Sequence, residues 1–267
     1  MQQTIALSKK ISLFIMALAL LGVISVKAID YSFENKISKS TFDFDQPKKI
    51  WGHRGFWKNA EQNSIEAFKA AFELGAPGTE LDVFFDVKLQ DFIVSHDFPY
   101  NLKGGRILTL ENVLSEFQSD FKFWLDYKNL GDIPISEQHN SLTRLLSLAA
   151  KYGIKNNLIV ESQNQEAIAE FTKKGFTTSY WVTFNETSGR KRYWTELYKL
   201  KIGYVFDRFS TISMDYQIYS DQLRKALPNI PTLLFTVNNS NQISSYLKNT
   251  DVKIILSDEN LYSMQAN

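Results

Sequence analysis

The sequence predicts a single-domain (β/α)8 barrel, a TIM barrel, behind an N-terminal signal peptide. Three observations carry this. From Ile50 onward, eight short β-rich runs alternate with segments of helical period, and each run but the last is followed by a helix. Repeated βα units imply a parallel sheet with right-handed crossovers, and eight of them in about 220 residues is the arithmetic of a closed barrel. No Gly-rich phosphate loop is present, and no linker composition divides the chain. The structural rival is a doubly wound open sheet.

Residues 1–28 open with Lys9-Lys10, run apolar from Ile11 to Val26 and end Val26-Lys27-Ala28. A basic start, a short apolar core and small residues at the cut make a signal peptide cleaved after Ala28. The rival is an uncleaved anchor. Sixteen apolar residues span roughly 24 Å as a helix, short of the ~30 Å hydrocarbon core, and Gly22 weakens that helix further. Both readings export the domain, to a periplasm or the cell exterior. Residues 29–49 follow as a polar lead-in of no clear period, then the barrel over 50–258 and a C-terminal tail over 259–267.

Strands are predicted at Ile50–His53, Thr79–Phe85, Phe121–Tyr127, Leu158–Glu161, Thr178–Phe184, Gly203–Phe206, Thr232–Val237 and Val252–Leu256. Ser64–Leu74 is helical, with Ile65, Phe68, Ala71 and Phe72 on one face and Gly75 ending it. Thr109 caps a helix to Phe117. Other helical patterns cover 137–152, 164–174, 189–200, 216–226 and 241–248.

Composition excludes several classes. The chain is 44% hydrophobic and 22% charged, too apolar for intrinsic disorder. It has no cysteine, hence no disulfide, Cys-type zinc site or thiol nucleophile. Without residues 1–28 it carries 27 basic and 29 acidic residues, which gives no electrostatic footprint for nucleic acid.

A barrel places its chemistry at the C-terminal ends of its strands. The first run ends His53-Arg54-Gly55. The second reads Glu80-Leu81-Asp82, and i, i+2 spacing points both carboxylates to one face. The third reads Asp126-Tyr127-Lys128, which aligns an acid with a base. Taken singly, each pattern is ordinary: a solvated strand face, a local ion pair. Together, at consecutive strand ends, the three carboxylates form an oxygen site suited to Ca²⁺ or Mg²⁺. His96-Asp97 follows a β-like run, Phe92–Ser95. His139 lies in a polar helix start and is expected at the surface. Glu161 ends the fourth run and could line the pocket, while Asp207-Arg208 reads as an internal ion pair ending the sixth.

These motifs resemble those of the glycerophosphodiester phosphodiesterases, a branch of the phosphatidylinositol-phospholipase-C-like barrels. The likeness rests on His53-Arg54-Gly55, Gln62-Asn63-Ser64, Glu80-Leu81-Asp82, His96-Asp97, the helix from Leu108-Thr109, Phe235-Thr236-Val237-Asn238 and Ser257-Asp258. It covers residues 50–258. The resemblance implies one divalent ion on Glu80, Asp82 and Asp126, with His53 and His96 as general acid and base. It also implies phosphate contacts from Arg54 and Lys128, and a small-molecule or lipid-derived phosphodiester as substrate. The chemistry agrees: a phosphodiester needs its charge neutralised, one proton acceptor and one donor.

Departures from the family pattern are Asp126 for the usual Glu, as in the related sphingomyelinase D enzymes, Gln62 for Glu, and Phe235 for Trp. One extra residue between Glu80 and His96 is expected in the turn at Lys88–Asp91. Phe56-Trp57 reads either as packing under the loop or as a platform for an acyl chain or headgroup. Asp126 and the platform reading, with its peripheral membrane contact, favour a lysophospholipid or sphingomyelin phospholipase D as the alternative. A catalytically inactive exported binding protein is the second alternative. Asp97 beside His96 inclines the acid's role to His96.

Overall fold

The computed structural model describes residues 2–42, 44, 47–117 and 121–264, with side chains from Ser12 onward. Residues 43, 45 and 46 of the expected lead-in and 265–267 of the expected tail lie outside the described residues.

The strands are β1 (Ile50–Gly52), β2 (Gly78–Asp86), β3 (Asp91–Val94), β4 (Lys122–Tyr127), β5 (Leu158–Ser162), β6 (Thr177–Trp181), β7 (Thr211–Asp215), β8 (Thr232–Phe235) and β9 (Val252–Ser257). All but β3 are parallel, and β1 pairs with both β2 and β9, so eight strands close the ring. The helices are α1 (Gln2–Ile37), α2 (Ile65–Glu73), α3 (Leu110–Glu116), α4 (Ile135–Tyr152), α5 (Gln165–Lys173), α6 (Arg190–Val205), α7 (Asp221–Ala226) and α8 (Ser240–Tyr246). Side chains of Ser64, Thr109, Asn164, Ser220 and Asn239 accept from backbone N–H groups at the starts of α2, α3, α5, α7 and α8, satisfying donors that a helix start leaves open.

Strand alternation separates two cores. Leu81, Val83, Leu125, Val160, Ile212 and Leu234 face the helices. Trp51, Trp124, Ile159, Leu233, Ile254 and Leu256 fill the barrel interior, and Phe44 packs with them, 6.0 Å from the Trp51 ring. Large apolar side chains thus plug the lower barrel, and polar side chains remain for its mouth.

Three expectations need correction. Gly203–Phe206 is not a strand: its first three residues form the last turn of α6, and the sixth barrel strand is Thr211–Asp215. Burial overrides β-propensity here. Tyr204 packs against Phe33 and Phe209, and a Cβ at Gly203 would meet Gln165 Oε1 at 2.4 Å and Phe209 at 2.8 Å. Asp207 and Arg208 do not pair with each other; Asp207 pairs with Lys36 and Arg208 with Glu166. Residues 29–37, read as an aperiodic lead-in, are the final turns of α1. They dock on α6, with Phe33 fully buried and Lys201 Nζ donating to Asp30. Phe92–Ser95 yields β3, antiparallel to β2 and joined to it by the turn at Val87–Gln90.

Candidate active site

Parallel pairing brings the singled-out residues to one end of the barrel. Asp82 is in register with Asp126, and Asp126 with Glu161, so three adjacent strands present carboxylates at one level. Glu80 sits one inward position below Asp82. Ligand oxygens of Glu80, Asp82 and Asp126 lie within 4.8 Å of one another, and both β2 acids are almost wholly buried.

Arg54 and Gly55 turn through positive φ, 56° and 82°. Only glycine fits the second position, because a Cβ there would meet the Ala67 carbonyl carbon at 2.6 Å. The turn aims backbone N–H groups inward: Arg54 N donates to Glu80 Oε2 at 3.0 Å and Gly55 N to the Thr79 hydroxyl at 2.9 Å. Arg54 Nε lies 3.1 Å from Asp82 Oδ2 as an ion pair, although its N–H is not aimed well enough for a hydrogen bond. Arg54 Nη1 donates to Gln62 Oε1, so Gln62 orients the arginine as a neutral acceptor. Lys128 Nζ bridges Asp82, at 2.7 Å, and Asp126.

The electrostatics follow from this packing. Burial, then Asp82 and Asp126, push the Glu80 carboxyl well above the usual carboxylate range. Burial, then Asp126, does the same to Glu161, whose buried Oε2 has no well-aligned hydrogen-bond partner. Burial also raises Asp126 against the pull of Lys128. Asp82 is held low despite its burial, because Lys128 and Arg54 are both on it. Against the desolvation that would lower it, Lys128 is pushed up by Asp126, Asp82 and Glu80. The carboxyl groups of Glu80, Asp82, Asp126 and Glu161 outnumber the cations Arg54 and Lys128 by two, and the two pushed well up, Glu80 and Glu161, favour a proton that a bound cation would replace. A clustered all-oxygen donor set with that excess fits one hard divalent cation.

Both histidines line the same cavity of about 120 Å³, together with Trp124, Trp181 and Phe235. Nδ1 of His53 is 2.8 Å from Asp258 Oδ1, and Nε2 lies 4.0 Å from Glu80 Oε2. Asp258 also accepts from Trp57 Nε1 and Asn238 Nδ2. Burial would raise the Asp258 carboxyl, but His53 and Asn238 keep it below the ordinary range. His96 Nδ1 is 2.8 Å from Asp97 Oδ1, the contact expected from the sequence. Since Asp258 does for His53 what Asp97 does for His96, a neighbouring carboxylate does not distinguish acid from base.

All seven predicted site residues meet at this cavity. Trp57 is tied to Asp258, and Phe56 packs edge-on against Tyr262 at 6.4 Å, which is the packing reading of that pair. His139 is exposed. Sequence reasoning gave no role to Asn63, whose side chain donates to Asp82 Oδ2 at 2.6 Å and accepts from Asp82 N. Asp258 lies in the Ser257-Asp258 motif, to which the sequence attaches no role, and Trp181 carries no signal beyond its place in a strand. Beside the cavity, a depression of about 370 Å³ shares Asp126, Lys128 and Trp181 and reaches Ser162, Asn164 and Lys199.

No protein-family model matches the chain, and no curated protein matches it. Solved structures do. A glycerophosphodiester phosphodiesterase of Thermotoga maritima is 22% identical with a TM-score of 0.61, over 80% of this chain and 96% of its own. One from Parabacteroides distasonis is 18% identical with a TM-score of 0.59, over 80% and 94%. A phosphodiesterase of Oleispira antarctica, in complex with the product sn-glycerol-3-phosphate, is 14% identical with a TM-score of 0.57, over 79% and 93%. At these identities the shared property is the fold, a (β/α)8 barrel matched over most of its length.

Proposed function

We propose that this protein is a metal-dependent phosphoric diester hydrolase that cleaves glycerophosphodiesters to glycerol phosphate and an alcohol. One observation carries the reading: three carboxylates close enough to share a cation, two histidines and two cations line one cavity at the barrel mouth. The barrel shared with phosphodiesterases, one of them holding sn-glycerol-3-phosphate, supports it.

Glu80, Asp82 and Asp126 would hold the ion, Ca²⁺ or Mg²⁺, which when bound supplies Lewis-acid neutralisation of phosphate charge. Arg54 and Lys128 face the anionic phosphate oxygens. One histidine, through Nε2, takes the proton of the attacking hydroxyl, which is either water or the neighbouring glycerol hydroxyl; the latter route leaves a cyclic phosphodiester that water opens in a second step. The other gives a proton to the departing alkoxide. The carboxylate on each Nδ1 fixes the ring and its tautomer, Asp258 for His53 and Asp97 for His96. Asn63 positions Asp82 rather than touching substrate. The depression beside Trp181 and Lys199 takes the alcohol half. The barrel works outside the membrane through which residues 1–28 lead it; the apolar N-terminal helix supports that placement.

Purified protein with glycerophosphocholine and lysophosphatidylcholine, each with Ca²⁺, Mg²⁺ or chelator, tests the reading. The expected result is divalent-dependent release of choline and glycerol phosphate from the first substrate. Activity on neither substrate under any condition would overturn it, and activity on lysophosphatidylcholine alone would move the assignment to a phospholipase D.

A further inference from the structure

We propose that residues 12–27 remain on the protein as a membrane anchor and that the mouth of the barrel lies against the same membrane, on anionic lipid headgroups. The direction of α1 is the starting point. Asp30 accepts from Tyr198 and Lys201, the Phe33 ring meets Tyr204 at 5.5 Å, and Lys36 pairs with Asp207. Numbers rise together along both helices, so α1 and α6 run parallel. α6 leaves the top of β6 at the mouth and descends to the bottom of β7. Followed back toward its start, α1 therefore climbs to the mouth. Above Tyr198, α6 has eight residues, about 12 Å, whereas α1 has eighteen from Asp30 back to Ser12, about 27 Å. The apolar half of α1 overshoots the mouth by roughly 15 Å.

That overshooting half has no polar face. Leu13, Phe14, Ile15, Met16, Leu20 and Leu21 are each more than half exposed, and consecutive residues cover every side of the helix. A helix apolar all round belongs in lipid. With the mouth on the headgroups, the roughly 15 Å of apolar helix that overshoots it enters the near leaflet, while Lys27, below the level of the mouth, stays on the water side. The helix is unbroken through Ala28, and its next turns are docked on α6 through Asp30 and Phe33.

The mouth carries the matching surface. Arg190-Lys191-Arg192 is exposed at the start of α6, and among the described residues none of the three is in an ion pair. Trp194 stands half exposed one turn on, where an indole suits a lipid–water boundary. Across the ring, the β2–β3 turn exposes Lys88 and Leu89, and the following loop exposes Phe98 and Leu102. Scattered exposed apolar residues are ordinary on a soluble protein. Here they share one end with the basic run and with the projecting helix, and cationic and apolar groups flanking a mouth fit an anionic bilayer.

The chain has no cysteine, so one introduced residue labels a single site. Full-length protein in vesicles of phosphatidylcholine and phosphatidylglycerol, labelled with bimane at Leu89→Cys or at Phe206→Cys, is titrated with nitroxide-bearing lipid. Phe206 is exposed at the opposite end of the barrel and serves as the control. Strong quenching at position 89 and little at 206 is expected; equal or reversed quenching overturns the proposal. Phe98→Cys replaces Leu89→Cys if that variant fails to fold. Substituting Gln at Arg190, Lys191 and Arg192 together should weaken docking on the order of a hundredfold, at roughly fivefold per charge, and lower the quenching at 89. Unchanged quenching overturns the role of the anionic lipid. Intact mass of the membrane-bound protein should match the uncut chain, and a chain beginning at Ile29 overturns the anchor. None of these readouts depends on catalysis, so they fail or hold separately from the proposed hydrolysis.

Discussion

A divalent cation should raise the thermal midpoint of the metal-stripped protein, and Asp126→Asn should abolish the rise. Four carboxyl groups, Glu80, Asp82, Asp126 and Glu161, stand against two cations, Arg54 and Lys128, and a bound divalent ion takes the place of the proton that burial favours on Glu80. A ligand that binds only the folded state adds about 2.7 kcal/mol at a hundred times its Kd. For a domain of this size each kcal/mol moves the midpoint by roughly 2–4 °C, so the expected rise is about 5–11 °C. Differential scanning calorimetry with Ca²⁺, Mg²⁺ and chelator measures it. The rise should grow with pH, because Glu80 is held protonated above the usual range by burial and its carboxylate neighbours, and that proton must leave before the oxygen can ligate. Asp126→Asn leaves two acids in the cluster and removes one partner of Lys128, so the midpoint without metal shifts little while the metal response goes. No rise at millimolar metal, or the same rise in Asp126→Asn as in the parent, would refute the reasoning.

Three further outcomes are expected. His53→Ala and His96→Ala should both lose about 10²–10⁴-fold on glycerophosphocholine, and one of them, the acid's variant, should recover on a glycerophospho-nitrophenyl ester, whose leaving group needs no proton; recovery of both or of neither refutes the division of labour. Gly55→Ala should cost about 2–5 kcal/mol by chemical denaturation, from an L-residue at positive φ plus overlap with the Ala67 backbone; a loss under 1 kcal/mol would show that the turn tolerates a side chain. Glu111 should titrate at about 2 by carboxyl NMR, because Lys151 and Arg144 hold it low. With the folded value below the unfolded one, its contribution is present above the ordinary value of 4.5 and is lost as pH falls toward 2, so Glu111→Gln should differ from the parent in midpoint at pH 6 but not at pH 1.5.

The barrel was legible because its signals are local. Alternation along β2 and β4 and the cap at Thr109 each lie within a dozen residues, and the count of βα units only adds up such local signals along the chain. The misplaced strand shows where local signals end. Gly203-Tyr204-Val205-Phe206 has β-rich composition, yet Tyr204 is worth more packed against Phe33, a residue of α1, than in a sheet. The true strand, Thr211–Asp215, alternates small polar residues inward with Ile212 and Met214 outward, a weaker pattern than a solid apolar run. The docking of residues 29–37 was invisible for the same reason: Asp30 and Lys201 are 171 positions apart, and nothing near either one announces the other.

The same distinction governs the site. Glu80 and Asp82, or Asp126 and Lys128, are two residues apart, so strand geometry alone aligns them. Asn63 reaches Asp82 across 19 residues, and Asp258 reaches His53 across 205. Both contacts exist because β1 is the closing strand, held between β2 and β9, so the loop after β1 touches the strands that begin and end the ring. A reading along the chain sees His96 next to Asp97 and His53 next to no acid, and infers an asymmetry between the two. Closure removes it. The first and last motifs meet at β1, His53 acquires a carboxylate at the same 2.8 Å, and the two histidines become alike on the side away from the cavity. What distinguishes them must then lie on the Nε2 side, where His53 has Glu80 within 4.0 Å and His96 lies at the half-exposed rim. In the proposed reaction the division between acid and base is therefore set by where the phosphodiester sits between them, not by the carboxylates behind them.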